Sequence, residues 1–392
     1  MPECYVIDAI RTPFGRYGGA LAGVRPDDLA GHVLRSLVDR SPDLDVERIG
    51  DVYWGDANQA GEDNRNVGRM AVLLAGLPTS IPAVTVNRLC GSSLEGAMQA
   101  SRAIECGDES VVVVGGVESM SRAPWVLLKP EKGHPRGHET LHSTTLGWRM
   151  INPEMPEAWT LSLGESTEKV AGLYGITREA QDAFALRSHQ NAARAWDEGF
   201  YDGWVVGVPG IELERDESIR ADTTLEKLAK LKPAFRADGT VTAGNASTLN
   251  DGASAMFLAD EAGCAALGRE PIARVVSRGV SAVDPDVFGI APVEAANIAV
   301  RRAGITWEDV DVVELNEAFA AQCLADIGEW KGLDPDKVNP NGGAIAVGHP
   351  LGASGARILG GLAHELKRRG GGWGVAAICI GVGQGLAVVL HA

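Results

Sequence analysis

Ala83-Val84-Thr85-Val86-Asn87-Arg88-Leu89-Cys90-Gly91-Ser92-Ser93-Leu94 carries an apolar strand into a cysteine followed by small residues. Beyond it Leu94, Ala97, Met98, Ser101 and Ile104 recur at helical spacing. Val111-Val112-Val113-Val114 then predicts a strand buried on both faces, ending at Gly115-Gly116. Strand, tight turn, amphipathic helix and buried strand in succession predict a layered α/β fold.

The end of the chain repeats the order read around Cys90, namely turn, amphipathic helix, apolar strand and Gly-rich turn, and the start of the chain opens on a strand. Cys4 to Ile10 reads as a strand, followed by the turn Gly15-Arg16-Tyr17-Gly18-Gly19 and a helix through Leu29, Val33, Leu34 and Leu37. Near the other end Asn341-Gly342-Gly343 leads through Gly348-His349-Pro350 into a helix with Ile358, Leu359, Leu362 and Leu366 on its apolar side. Gly370-Gly371-Gly372 stops that helix, and strand Val375 to Ile378 delivers Cys379-Ile380-Gly381. An internal structural duplication is expected, although residue identity between the two parts is slight. Two such halves facing each other would place both turns at one site.

Residues from about 120 to 248 differ in character, with seven prolines from Pro124 to Pro233 and dispersed tryptophans. A helix from Thr177 to about Glu198 is predicted there, capped by Thr177, with Ala180, Phe184, Ala185 and Ala192 on its apolar side. The region reads as an inserted loop domain.

A chain of 392 residues exceeds the usual single-core limit. Its net charge of −16 opposes a nucleic-acid-binding surface, so an anionic ligand needs a local basic patch. Nothing approaches the roughly 18 apolar residues of a membrane span. The start, Met1-Pro2-Glu3-Cys4, lacks a basic region followed by an apolar one, so a cytoplasmic protein without membrane contact is expected. The six cysteines have no zinc-site spacing. His134, His138 and His142 recur every four residues, but Pro135 and Gly137 spoil the helix that would align them, so a polar loop is expected and no metal.

Four residues at element ends could carry chemistry. Cys90, at a strand-to-helix elbow, is either a core thiol or a nucleophile whose pKa the helix dipole lowers. His349, among small neighbours, is either a turn residue or a base able to take a thiol proton. Cys379 ends a strand before Gly381, Gly383 and Gly385, where it either packs or faces a substrate beside backbone N–H groups. Asn316, after the apolar strand Val310 to Leu315, either closes a turn or holds a water in an oxyanion site. Arg220, Lys227, Lys230, Lys232 and Arg236 form either a solvated face or a basic patch for phosphates.

Asn87 to Ser92, Asn316-Glu317-Ala318-Phe319, Asn341 to Pro350 and Cys379-Ile380-Gly381 together resemble the four active-site motifs of the thiolase family, in order. That resemblance covers essentially the whole chain. It implies two duplicated βαβαβαββ halves packed as a layered αβαβα sandwich. The first half would comprise 1–120 plus 249–273 and the second 274–392. Residues 121–248 would form the loop domain, which binds coenzyme A and makes oligomer contacts. It implies an acetyl-CoA C-acyltransferase that cleaves 3-ketoacyl-CoA with CoA through an acyl-Cys90 intermediate. His349 would be the base and Cys379 the second acid/base. Asn316, through a water, and His349 would hold the enolate oxygen, and N–H groups of Cys90 and Gly381 the tetrahedral oxyanion. CoA would be a co-substrate rather than a permanent cofactor. Arg220 would neighbour its nucleotide end, with Ser247, Ala243, Phe235, Leu163 and Phe319 along the pantetheine path. A homodimer or homotetramer is implied.

Three stretches are similar to the branch acting on 3-oxoadipyl-CoA: Gly15 to Leu21, Asn58 to Asn66, and Gly147-Trp148-Arg149-Met150-Ile151-Asn152-Pro153. Aromatic-acid breakdown would then be its pathway. Ser162-Leu163-Gly164-Glu165 departs from that branch, which reads Met-Pro-Glu after the serine, and from the acetoacetyl-CoA branch, which has a histidine where Ser162 stands. Arg65, Arg149 or a histidine of the 134–142 loop could meet an acidic acyl tail. The alternatives are a biosynthetic acetoacetyl-CoA thiolase, a ketoacyl synthase, a lipid-binding protein without activity and a nicotinamide dehydrogenase. The last is disfavoured because the glycines lack the dinucleotide fingerprint.

Overall fold

The computed structural model describes residues 2–134 and 136–392; Pro135 of the polar loop lies outside them. The first elements are β1 (Cys4–Arg11), β2 (Gly15–Arg16), α1 (Pro26–Val38), β3 (Asp51–Gly55), α2 (Val67–Leu74), β4 (Val84–Val86), α3 (Ser92–Cys106) and β5 (Val111–Ser119). The middle holds the small ribbon β6 (Trp125–Val126) and β7 (His142–Ser143), then α4 (Leu163–Tyr174), α5 (Arg178–Asp197) and α6 (Leu225–Ala229). There follow β8 (Asn250–Ala259), α7 (Glu261–Leu267), β9 (Ala273–Ala282), α8 (Ala291–Ala303), β10 (Val310–Leu315) and α9 (Ala320–Glu329). The last are α10 (Ala344–Val347), α11 (Leu351–Arg369), β11 (Trp373–Ile380) and β12 (Gln384–His391).

The main sheet runs β10-β11-β12-β9-β1-β8-β5-β3-β4, with β2 beside β8. Its two parts meet only where Cys4, Tyr5 and Val6 of β1 pair with Val275, Arg274 and Ala273 of β9. Successive strand residues point to opposite faces, so each valine run serves two cores. Val111 and Val113 pack with α1 and α2 through Leu34, Leu37 and Val67. Val112 and Val114 pack with Leu94 and Met98 of α3 and with Leu359 and Leu362 of α11. The same middle helices touch Ala376, Ile378 and Val388 of the second half, whose alternate residues Val375, Ala377 and Val389 pack on α8 and α9. The result is the αβαβα sandwich.

Two local expectations need correction. The Gly115-Gly116 pair does not end β5, which continues to Ser119. A Cβ at Gly116 would overlap the Gly352 carbonyl oxygen and one at Gly115 the Trp54 ring, so these glycines serve close packing rather than a turn. Among the described residues a single bridge between Val338 and Val313 stands in the second half where β4 stands in the first. In α5 Thr177 does cap the helix at Ala180 N, but Ala180 is exposed. Gln181 and Asp182 are buried beside it because they bond Thr240 and Asn245.

The middle region shares the cores of both halves. Tyr201 and Trp204 join the first, Phe184 and Leu228 the other. Arg11 of β1 donates to both oxygens of Asp216 at 2.6 and 2.8 Å inside the protein. The segment thus wraps the sandwich and closes over the edge where the turns gather.

Candidate active site

Cys90 sits on a one-turn helix, Leu89–Gly91, between β4 and α3. Leu89 has φ 47, a left-handed conformation costing about 1–3 kcal/mol for such a residue. Short polar bonds hold it there. Asn87 Oδ1 accepts from Leu89 N at 3.0 Å, and Ser92 donates to the Leu89 carbonyl at 2.6 Å. His349 lies just before α11, where Asn250 Oδ1 accepts its N–H at 2.9 Å.

Small residues bring the two helix starts together. A Cβ at Gly355 would overlap Leu94 N, and Ala356 N donates to Ser93 Oγ at 2.9 Å. Cys90 and His349 thereby share the wall of one cavity of 620 Å³. Asn316 is fully buried, with its Nδ2 3.4 Å from His349 Nε2. The Gly381 N–H reaches the Cys90 sulfur, and Cys379 is close enough to feel the charge of Cys90. Cys379 is packed with Phe319 and Phe288 behind the cavity wall. After Gly381, Val382 has φ 71, strained for a β-branched residue.

The electrostatics reverse one expectation. Burial pushes the Cys90 thiol up to about 11; the Gly381 N–H acts in the opposite direction without overcoming it. Burial raises Cys379 far above the ordinary thiol value, with the Cys90 charge adding to it. His349 is lowered to about 3 by burial and then by the charge of Arg357. The resting pair is a neutral thiol and a neutral imidazole, ready for proton transfer.

The tautomer of His349 follows from its neighbours. Ser354 Oγ is 2.6 Å from His349 Nδ1 and donates to the Pro350 carbonyl at 3.0 Å. Arg357 has only donors, so Asn316 gives it Oδ1 and turns Nδ2 to His349 Nε2, which must accept; the ring proton is then on Nδ1, donated to Ser354 Oγ. Nε2 then keeps its lone pair, which accepts from Asn316 Nδ2. That amide is oriented by Arg357 Nη2, which donates to Asn316 Oδ1 at 3.2 Å. Ser354 and Arg357 were missed in the sequence; the signal was polar residues on the apolar side of α11. Glu317 was also missed as a clamp, accepting from Ser188, Asn339 and Ile345 N.

Ser247, Ala243, Phe235, Leu163 and Phe319 line the cavity with Cys90 and His349. Gly164 gives Phe235 its room, since a Cβ there would overlap the ring. Arg220 lines neither this cavity nor its neighbour; it is exposed, with its backbone N–H donated to His189 Nδ1 at 3.2 Å. Lys227, Lys230, Lys232 and Arg236 are exposed too. A second cavity of 340 Å³ also reaches Cys90 and Gly381. Leu146, Gly147, Trp148 and Leu163 border both. Among the described residues no cluster of histidine, cysteine and carboxylate side chains suits a metal.

The chain matches the model of the thiolase N-terminal domain over residues 4–262 and that of the thiolase C-terminal domain over 269–392. It belongs to the thiolase family. It is an acetyl-CoA C-acyltransferase, cleaving 3-ketoacyl-CoA with CoA to give acetyl-CoA. It is 52% identical over 401 residues to a beta-ketoadipyl-CoA thiolase of Escherichia coli, covering 100% of both chains. The 3-oxoadipyl-CoA/3-oxo-5,6-dehydrosuberyl-CoA thiolase of Escherichia coli strain K12 is likewise 52% identical, with 100% of both covered. Human mitochondrial 3-ketoacyl-CoA thiolase in complex with CoA superposes with TM-score 0.92 at 38% identity, over 100% of this chain and 98% of that one. No helix among the described residues is long and apolar enough to cross a membrane.

Proposed function

We propose that the protein thiolyses 3-oxoadipyl-CoA, a 3-ketoacyl-CoA whose acyl chain ends in a carboxylate. One observation carries this reading: Asn58 and Gly147-Trp148-Arg149, from two of the stretches that mark the 3-oxoadipyl branch, line the second cavity together with Cys90. Asn58 Nδ2 also donates to Thr144 Oγ1 at 2.9 Å, three residues before the second of these stretches. The similarity to thiolases named for 3-oxoadipyl-CoA agrees with it.

In this account CoA enters along Phe235, Ala243, Ser247, Leu163 and Phe319, with Arg220 near its nucleotide end. His349 Nε2 takes the Cys90 proton, and the thiolate attacks the 3-keto carbon. The N–H groups of Cys90 and Gly381 hold the oxyanion. The bond between carbons 2 and 3 breaks, and the enolate oxygen is held by the protonated His349 and, through a water, by Asn316. Cys379 gives its proton to carbon 2, releasing acetyl-CoA. A second CoA thiol gives its proton to the Cys379 thiolate and takes the acyl group from Cys90, which recovers its proton from His349.

The parts divide as 1–120 plus 249–273, 121–248 and 274–392, the middle one serving CoA binding and contacts in a cytoplasmic homodimer or homotetramer. Exposed Trp125, Leu127, Leu128 and Leu141 supply apolar surface for such contacts. The test is CoA-dependent thiolysis of 3-oxoadipyl-CoA beside acetoacetyl-CoA. The reading expects a clear preference in kcat/KM for the former, and equal turnover counts against it.

A further inference from the structure

The two cavities that meet at Cys90 differ in character. The larger one is walled by Phe235, Phe319 and small residues and contains His349. The smaller one is lined by Cys90, Gly381, Asn58, Glu118, Thr144 and Arg149. A group bound to the Cys90 sulfur is adjacent to both, so the pantetheine arm and the acyl chain can lie in separate spaces.

Among the described residues Arg149 is the one cation lining the smaller cavity. Two nearby arginines of the middle region are paired, Arg122 with Glu62 and Arg236 with Glu165. Arg149 has no carboxylate partner among the described residues. Its turn is fixed rather than slack. Gly147 has φ 80 and Met150 φ 51, and the Trp148 indole donates to the Leu161 carbonyl at 3.1 Å. Among the described residues of the cavity wall the one carboxyl group, Glu118, already accepts from Ala57 N, Asn58 N and Gly352 N. Arg65 and the loop histidines line neither cavity with Cys90.

We propose that Arg149 is the specificity-determining residue for the acyl chain, its guanidinium pairing with the terminal carboxylate while the 3-keto carbon lies at Cys90. This rests on the 3-oxoadipyl reading and deepens it. A planar two-donor fork suits a carboxylate better than an ammonium does. An exposed, long side chain on a fixed turn can also follow carboxylates at different chain lengths.

Initial rates with 3-oxoadipyl-CoA and 3-oxohexanoyl-CoA, which share a chain length but differ in the terminal charge, test it in the natural chain, Arg149→Gln and Arg149→Lys. Arg149→Gln should lower kcat/KM for the charged substrate about 10- to 100-fold, the range of a charge-assisted hydrogen bond. It should leave the uncharged substrate unchanged, which also certifies the fold, and Arg149→Lys should recover part of the loss. If the natural chain prefers 3-oxoadipyl-CoA and Arg149→Gln keeps that preference, Arg149 is overturned while the substrate reading stands. Equal losses on both substrates also overturn it. No preference in the natural chain overturns both.

Discussion

Ser354 Oγ lies 2.6 Å from Nδ1 of His349 while spending its own proton on the Pro350 carbonyl. In the proposed mechanism the serine acts without touching substrate: it keeps the imidazole proton on Nδ1 and the basic lone pair on Nε2, toward Asn316 and the cavity. Ser354→Ala should reduce kcat about tenfold, near 1.4 kcal/mol, as for one hydrogen bond lost from a buried network. Nitrogen chemical shifts of the His349 ring check the cause. The natural chain should show the Nδ1–H form and the variant a mixture; an Nε2–H form in the natural chain would contradict the assignment.

Resting thiol chemistry should follow from the raised Cys90 pKa. With a value of about 11, the thiolate fraction at pH 8 is about one in a thousand and grows about tenfold per pH unit. Alkylation of Cys90 by iodoacetamide, without substrate, should climb steadily from pH 7 to 10. A rate already at its plateau near pH 7 would mean a preformed thiolate–imidazolium pair and would refute the neutral resting state.

The elbow at Cys90, the turn at His349 and the strand end at Cys379 were legible because glycines and hydrophobic period are local signals. The resting charge state was not. A dipole at the start of α3 can be read from sequence, but desolvation of the thiol depends on α11 and β11, more than 250 positions away. The extension of β5 was hidden for a related reason. Gly115-Gly116 looks like a strand end, yet the pair is there to admit Trp54 and the Gly352 carbonyl. Ser354 and Arg357 were hidden because α11 lies between two sheets, so an apolar face gives no hint of which polar residue looks back at His349. Arg149 was among three candidates, and only the cavity singles it out.

Packing at the helix starts should be unforgiving. Gly116→Ala would drive a Cβ into the Gly352 carbonyl, at the first turn of α11. Overpacking of this kind costs about 1–3 kcal/mol. The thermal midpoint should fall, and kcat with it, because His349 immediately precedes the displaced turn. A variant of unchanged midpoint and activity would show that the contact is not tight.

Asn316 should matter to the transition state rather than to binding. In the proposed mechanism Asn316→Ala removes one donor group of the enolate site, so it should lower kcat by about 10²- to 10³-fold with little change in KM for the ketoacyl-CoA. Steady-state kinetics separate the two. A rise in KM at constant kcat would move Asn316 from the chemistry to ground-state binding.

The central claim is that the acyl group rests on the Cys90 sulfur between the two half-reactions. Mixing the enzyme with 3-oxoadipyl-CoA without free CoA, quenching in acid and mapping peptides by mass spectrometry measures this directly. The account predicts one succinyl group on the Cys90 peptide, lost on addition of CoA and absent from Cys90→Ala. A succinyl group on Cys379 instead, or full thiolysis by Cys90→Ala, would contradict it.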